Sequence, residues 1–157
     1  AGTLGVRLGG AAFSLGAATS TPLALAIGKP SAAALADIDR DGRVDIVVVG
    51  ALGLEILRGD GAGGFTSQVI DTNQAGLTGI AVIDLDKDGD LDLLAPHGSG
   101  WAIYVNGGGF IYAPPASQPS NGGAGLVGVV SGDFDGDGDQ DALFGSLRRE
   151  LQAALGR

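Results

Sequence analysis

The 157-residue chain contains no cysteine, no methionine, one histidine, one tryptophan and two glutamates. Without cysteine, a disulfide framework, a thiol nucleophile and a zinc-thiolate site are all excluded. The nine lysine and arginine residues are scattered and form no basic stripe, so nucleic acid is not an expected partner. No run of about 20 apolar residues is present, and the sequence therefore predicts no membrane span.

Aspartate is what the chain has in excess. Of its 18 acidic residues, 14 lie in three copies of one pattern, D-x-D-x-D-G-x-x-D, at residues 37–45, 84–92 and 133–141. Carboxylates packed this closely repel one another unless a hard cation lies among them, and alternate oxygens around a glycine turn suit Ca²⁺. The sequence predicts three calcium sites, and three ions would bring the formal charge of -9 to about -3.

The predicted ligands are the carboxylates at positions 1, 3, 5 and 9 of each loop, together with the backbone carbonyl at position 7. They are Asp37, Asp39, Asp41, Arg43 and Asp45 in the first loop, Asp84, Asp86, Asp88, Asp90 and Asp92 in the second, and Asp133, Asp135, Asp137, Asp139 and Asp141 in the third.

An EF-hand shares the first half of this pattern but places a bidentate glutamate at position 12, between two helices. Here position 12 is Val48, Ala95 or Phe144, and each loop runs into a short apolar segment. The loops are therefore expected to open into β-strands. A polar turn without metal is the alternative for a single loop, and the shared spacing of three loops disfavours it.

The first aspartates of the loops fall at residues 37, 84 and 133, which gives repeats of nearly equal length. Each unit has an apolar segment before the loop, a second after it, a third beyond a glycine turn, then a Gly-rich turn ending in Phe and a weaker fourth segment. This spacing predicts four antiparallel strands per unit. The expected boundaries are 1–31 for the end of one unit, 32–75 and 76–120 for two complete units, and 121–157 for the start of another.

The three loops with their Gly-rich turns resemble the FG-GAP or VCBS repeat family, whose best-known members are the calcium-binding blades of integrin α-subunit propellers. The resemblance implies an all-β, propeller-like fold of about three four-stranded blades with incomplete blades at both termini. Because a closed propeller needs four to eight blades, the terminal half-blades are expected to pair with a protein partner or with another copy of the chain.

Several single features carry secondary predictions. Leu147, Leu151 and Leu155 recur every four residues, as in a helix, but the repeat register favours a strand. Phe13, Phe65 and Phe110 share one repeat position and are expected in the core. Trp101 is interpreted as packing between units, with sugar stacking as the alternative, and His97 as a loop residue without a catalytic role. The Pro-rich run at 114–122 is interpreted as an exposed loop.

The composition offers little for catalysis, since the aspartates are nearly all assigned to metal and the chain has one histidine. The sequence therefore predicts a non-catalytic, calcium-stabilised propeller module for adhesion or assembly. Extracellular modules tolerate weak calcium sites, so the predicted location is secreted or cell-surface. A carbohydrate-binding lectin propeller, with a glycan as partner, and a non-catalytic fragment of a secreted polysaccharide-active enzyme are the alternatives.

Overall fold

The computed structural model of the chain is all-β. It describes residues 3–9, 15–22, 27–119, 125–147 and 151–154. Phe13 and Leu155 lie outside this part of the chain. No helix in the described residues is long and apolar enough to cross a membrane.

Thirteen strands are present in the described residues, and they form four antiparallel sheets. The first sheet is a hairpin of β1 (Thr3–Gly9) and β2 (Leu15–Pro22). The second, here the A sheet, contains β3 (Pro30–Ala36), β4 (Asp45–Gly50), β5 (Gly53–Gly59) and β6 (Phe65–Asp71), paired in sequence order.

The B sheet repeats this meander with β7 (Ala81–Ile83), β8 (Asp92–His97), β9 (Gly100–Tyr104) and β10 (Ala116–Pro119). The C sheet has three strands, β11 (Leu126–Gly132), β12 (Asp141–Ser146) and β13 (Leu151–Ala154). The predicted propeller-like architecture of four-stranded units with shorter units at the ends is confirmed. Residues 151–154 form the strand that the repeat register predicted.

The predicted loop at 114–122 is wrong over residues 116–119, which pair with β9 as the edge strand of the B sheet. All four residues of β10 are exposed, so the segment has the polar, proline-containing composition of a loop. Proline is tolerated there because an edge strand leaves one row of backbone groups unpaired.

The second strands of the A and B sheets, β4 and β8, are buried on both faces because a sheet or cluster lies on either side. In β4, the run Asp45–Gly50 is fully buried, with Val47 and Val49 packed toward the B sheet and Ile46 and Val48 on the opposite face. Leu94 of β8 packs in the same way against Phe144 of the C sheet. The continuous apolar runs in the sequence are therefore strands inside a stack of sheets.

Two hydroxyl groups at equivalent positions tie neighbouring sheets together. Ser31 Oγ donates to the carbonyl of Leu77 at 2.5 Å, and Thr78 Oγ1 donates to the carbonyl of Leu126 at 2.7 Å. Ser31 and Thr78 are one repeat apart, so the same contact recurs at the A–B and B–C junctions.

Glycine begins the third strand of both four-stranded sheets because the fourth segment passes too close for a side chain. A Cβ at Gly53 would lie 1.9 Å from the carbonyl oxygen of Asp71, and one at Gly100 would lie 1.9 Å from that of Gln118. Only glycine fits such a close backbone approach.

Candidate metal centres

The three acidic loops lie between the first and second strands of the A, B and C sheets. Position 6 of each loop has positive φ, at 83° for Gly42, 92° for Gly89 and 90° for Gly138. Position 4 is also left-handed, with Arg40 at 57° and Lys87 at 61°. Glycine adopts a positive φ without a steric cost, which explains why position 6 is glycine in all three copies of the pattern.

The aspartate at position 9 is a buried anchor for its loop. Asp45, Asp92 and Asp141 are 0%, 0% and 1% exposed. One carboxylate oxygen of each accepts the amide at position 2, from Ile38 at 3.0 Å, Leu85 at 2.8 Å and Phe134 at 2.8 Å. These bonds close each loop onto the start of its second strand.

The other oxygen of this anchor reaches the end of the third strand in the two four-stranded sheets. Asp45 Oδ1 accepts the amide of Gly59 at 2.9 Å, and Asp92 Oδ1 accepts the amide of Asn106 at 2.8 Å. Sequence reasoning assigned position 9 to metal alone and missed this structural role. The sequence indicated this structural role through the apolar strand that directly follows position 9, because a carboxylate at the start of a buried strand is itself buried.

Three carboxylates converge in each loop, with one oxygen of each residue within 4.8 Å of the others. The groups are Asp37, Asp39 and Asp41; Asp84, Asp86 and Asp92; and Asp133, Asp135 and Asp141. Among the remaining predicted ligands, Asp88 and Asp137 accept the amides of Asp90 and Asp139 at 2.8 Å, which keeps them within their turns. The side chain of Arg43 pairs with Asp41, and its carbonyl stays a predicted ligand.

The donor sets suit a hard divalent cation. Within each loop, backbone amides bond to one oxygen of the carboxylates at positions 3 and 5, as Asp86 Oδ1 and Asp88 Oδ1 show. In the second loop Asp84 Oδ1 is buried without a hydrogen-bond partner in the described residues. A buried carboxylate oxygen in that state is costly unless a cation lies beside it. Calcium, which takes six to eight oxygens, fits this site.

The electrostatics of the loops differ. In the third loop, the Asp137 amide lowers the pKa of Asp135, but desolvation and the charges of Asp137, Asp141 and Asp133 together raise it above its ordinary value. In the first loop, desolvation raises the pKa of Asp41, yet hydrogen bonds from the Arg43 amide and Arg58 hold it below that value. Arginine thus relieves repulsion at Asp41 in the first loop, whereas neighbouring carboxylates still raise the pKa of Asp135 in the third.

Neighbouring loops are joined by ion pairs that the sequence analysis did not identify. Lys87, at position 4 of the second loop, pairs with Asp139, at position 7 of the third. Arg40, at position 4 of the first loop, lies 4.0 Å from Asp90, at position 7 of the second. The sequence does contain both charges of each pair, with a lysine or arginine at position 4 of one loop and an aspartate at position 7 of the next loop.

The aromatic residues confirm the packing interpretation. Trp101 stacks on Phe144 of the C sheet, with ring centroids 4.6 Å apart and planes inclined by 19°. Phe110 is buried in the core between the A and B sheets, and Phe65 packs on the cluster of Ile46, Val48 and Leu57. Such stacked aromatic pairs stabilise a junction beyond the area they bury.

His97 is the last residue of β8, and the prediction of a loop residue is wrong because the strand extends far enough to pair His97 with Gly100. Its ring is buried, with Nδ1 at 3.2 Å from the Ser99 hydroxyl. Burial lowers the pKa of His97, which favours the neutral ring.

The stacked four-stranded sheets with one acidic loop each define a propeller-like repeat protein. Residues 37–95, from the first acidic loop into β8, match the FG-GAP-like repeat. Over these residues the match confirms the resemblance to the FG-GAP-like repeat.

A chain of the Photorhabdus luminescens Tc holotoxin pore has a similar fold, with a TM-score of 0.59 and 18% sequence identity. The match covers 98% of this chain and 8% of that chain. At this identity the likeness shows the fold alone. A comparison with curated protein sequences gave no significant match.

Proposed function

We propose that the chain is a non-catalytic, calcium-stabilised propeller module that serves extracellular adhesion or assembly. The observation that carries the proposal is the recurrence of one acidic loop in three successive sheets, with three carboxylates converging in each. Such loops, held by buried aspartates and joined to one another by ion pairs, suit a metal that stabilises the fold. The ions would be held by the aspartates at positions 1, 3, 5 and 9 and would neutralise the repulsion among them.

Calcium titration of the chelated protein by calorimetry tests the metal content. The parent should bind three equivalents, and Asp39→Ala, Asp86→Ala and Asp135→Ala should each remove about one. Asp60→Ala is the matched control, since Asp60 is an exposed aspartate in a Gly-rich turn outside the three loops. Fewer than two sites in the parent would contradict the proposal.

The extracellular setting is supported by the type of site. Open surface loops with aspartate ligands resemble the weak calcium sites of extracellular modules, which fill at calcium concentrations that the cytosol does not reach. Localising the tagged full-length protein in its source cells tests this. Retention in the cytosol would contradict it.

The assembly role is supported by an exposed face on the C sheet. Leu54, Trp101 and Leu151 occupy equivalent positions at the start of the third strand, as the pairs Val49–Leu54, Pro96–Trp101 and Gly145–Leu151 show. Leu54 is 0% exposed against the B sheet and Trp101 stacks on the C sheet, whereas Leu151 is 74% exposed. Val130, whose counterpart in the A sheet is Ala34, is 55% exposed on β11.

This face of the C sheet therefore has apolar residues at the positions that are buried at the A–B and B–C junctions. No sheet packs on it within the described residues. We propose that a second copy of the chain covers it through head-to-tail packing. Light scattering coupled to size exclusion should show an assembled species, and Leu151→Lys should dissociate it. Ile111→Lys is the control, because Ile111 is 70% exposed in the segment between β9 and β10 of the B sheet and not in the C sheet. A monodisperse parent monomer at micromolar concentration would contradict head-to-tail assembly.

The carbohydrate-binding alternative predicts a different result. A glycan array probed with the calcium-loaded protein should be negative if the module serves protein assembly, and specific binding would favour the lectin function.

A further inference from the structure

Among the described residues, the first acidic loop differs from the other two in that an arginine from the third strand of its own sheet, Arg58, reaches two of its converging carboxylates. Arg43, inside the loop, also pairs with Asp41. Nη2 of Arg58 lies 2.5 Å from Asp39 Oδ2 and 3.1 Å from Asp41 Oδ2. The Oδ1 atoms of these two aspartates accept backbone amides of the loop. Arg58 therefore bonds to the carboxylate oxygens that the loop's own backbone leaves available.

The strand register explains why Arg58 reaches only this loop. In the A sheet Leu57 pairs with Ile46, so the next residue, Arg58, lies beside the buried anchor Asp45. In the B sheet Tyr104 pairs with Leu93, and Val105 takes the equivalent place. The corresponding residue in the third repeat is Leu155. Neither residue carries a charge, so the second and third loops have no cation at the position equivalent to Arg58.

Arg58 also contacts the neighbouring sheet. Its guanidinium carbon lies 5.7 Å from the centroid of the Phe110 ring, within the range of a cation–π interaction. Phe110 belongs to the Gly-rich turn after β9 and is 8% exposed. The Arg58 side chain is 50% exposed, so it can move away from the loop into solvent without unfolding the sheet.

We propose that Arg58 competes with calcium for the first acidic loop, so that this loop binds calcium more weakly than the second and third loops do. The inference rests on the calcium sites proposed above. A metal ion and a guanidinium at the Oδ2 atoms of Asp39 and Asp41 repel each other, because both are cations drawn to the same two oxygens. Calcium must release Arg58, and occupancy of the first loop is thereby linked to the contact between Arg58 and Phe110.

Exposed ion pairs are weak individually, so two of them should reduce calcium affinity by roughly tenfold. Titration of the chelated full chain against a chromophoric calcium chelator should resolve two tighter sites and one weaker site. Asp39→Ala should remove the weaker site, and Asp86→Ala should remove a tighter one.

The decisive variant is Arg58→Gln, which should tighten the weaker site by about tenfold and leave the other two within about twofold. Lys29→Gln removes the same charge from an exposed residue before β3, at the opposite end of the A sheet, and should leave all three sites within about twofold. Far-UV circular dichroism confirms that each variant is folded.

The outcomes separate the two proposals. Three sites of equal affinity that Arg58→Gln does not change would overturn the competition while leaving the calcium sites intact. If Arg58→Gln and Lys29→Gln increased the calcium affinity of the weaker site equally, the effect would be due to net charge alone, and the competition would also be overturned. Absence of calcium binding in every variant would overturn the calcium proposal itself.

Discussion

The buried aspartate at position 9 should stabilise its loop whether or not metal is bound, unlike the exposed aspartates of the same loops. Asp45 is 0% exposed, and its two oxygens accept the amides of Ile38 at 3.0 Å and Gly59 at 2.9 Å. Asp45→Ala would leave both donors buried without a partner. Asp86→Ala removes a predicted ligand at an exposed position and leaves no buried donor.

The expected magnitudes follow from these contacts. A hydrogen bond to a charged group is worth about 1.5–3 kcal/mol, so the loss of two should lower the free energy of unfolding by about 4 kcal/mol in chelator. In calcium the loss should be larger, because Asp45 is also a predicted ligand and calcium stabilises the folded state. Asp86→Ala should cost about 2.7 kcal/mol when calcium is present at a hundredfold excess over its dissociation constant. In chelator its effect should stay within about 0.5 kcal/mol, since surface substitutions rarely exceed that.

Urea denaturation followed by circular dichroism, in calcium and in EDTA, measures both variants against the parent. If EDTA alone unfolds the parent, the chelated series is repeated in a fixed concentration of trimethylamine N-oxide, which strengthens burial. An Asp45→Ala variant as stable as the parent in EDTA would refute the anchoring role. A large loss for Asp86→Ala in EDTA would show that the exposed carboxylates also stabilise the loop without metal.

Two further predictions concern stability. Chelation should lower the melting temperature, by the equivalent of roughly 2.7 kcal/mol for each site at a hundredfold calcium excess, and magnesium should restore it poorly because it demands tighter octahedral geometry; an unchanged melting temperature in EDTA would contradict this. Tyr104→Phe should cost about 2 kcal/mol in urea denaturation, because the buried Tyr104 hydroxyl donates to Asp71 across the A–B junction at 2.9 Å. Tyr112→Phe, whose hydroxyl donates to a neutral carbonyl at 3.3 Å, is the control and should cost less.

Local patterns in the sequence predicted the units of this fold. The D-x-D-x-D-G-x-x-D spacing places glycine where the backbone turns left-handed, and the apolar run after each loop is the buried second strand. Both features depend on residues close together in the chain, so the sequence carries them directly. The sequence predicted a fourth strand in the B sheet but assigned residues 116–119 to a loop, because an exposed, proline-containing strand has the composition of a loop.

The stacking of the sheets determined the rest of the candidate metal centres. Lys87 meets Asp139 and Arg58 meets Phe110 only because one sheet packs on the next, and no local pattern encodes that approach. The register of β5 against β4 likewise places Arg58 beside the first loop. The sequence by itself therefore determined that three acidic loops exist and which carboxylates each contains. Only the tertiary structure decided which oxygens converge, which loop an arginine from a neighbouring strand reaches and which backbone amides the anchor aspartates accept, because these depend on contacts that the local sequence pattern does not specify.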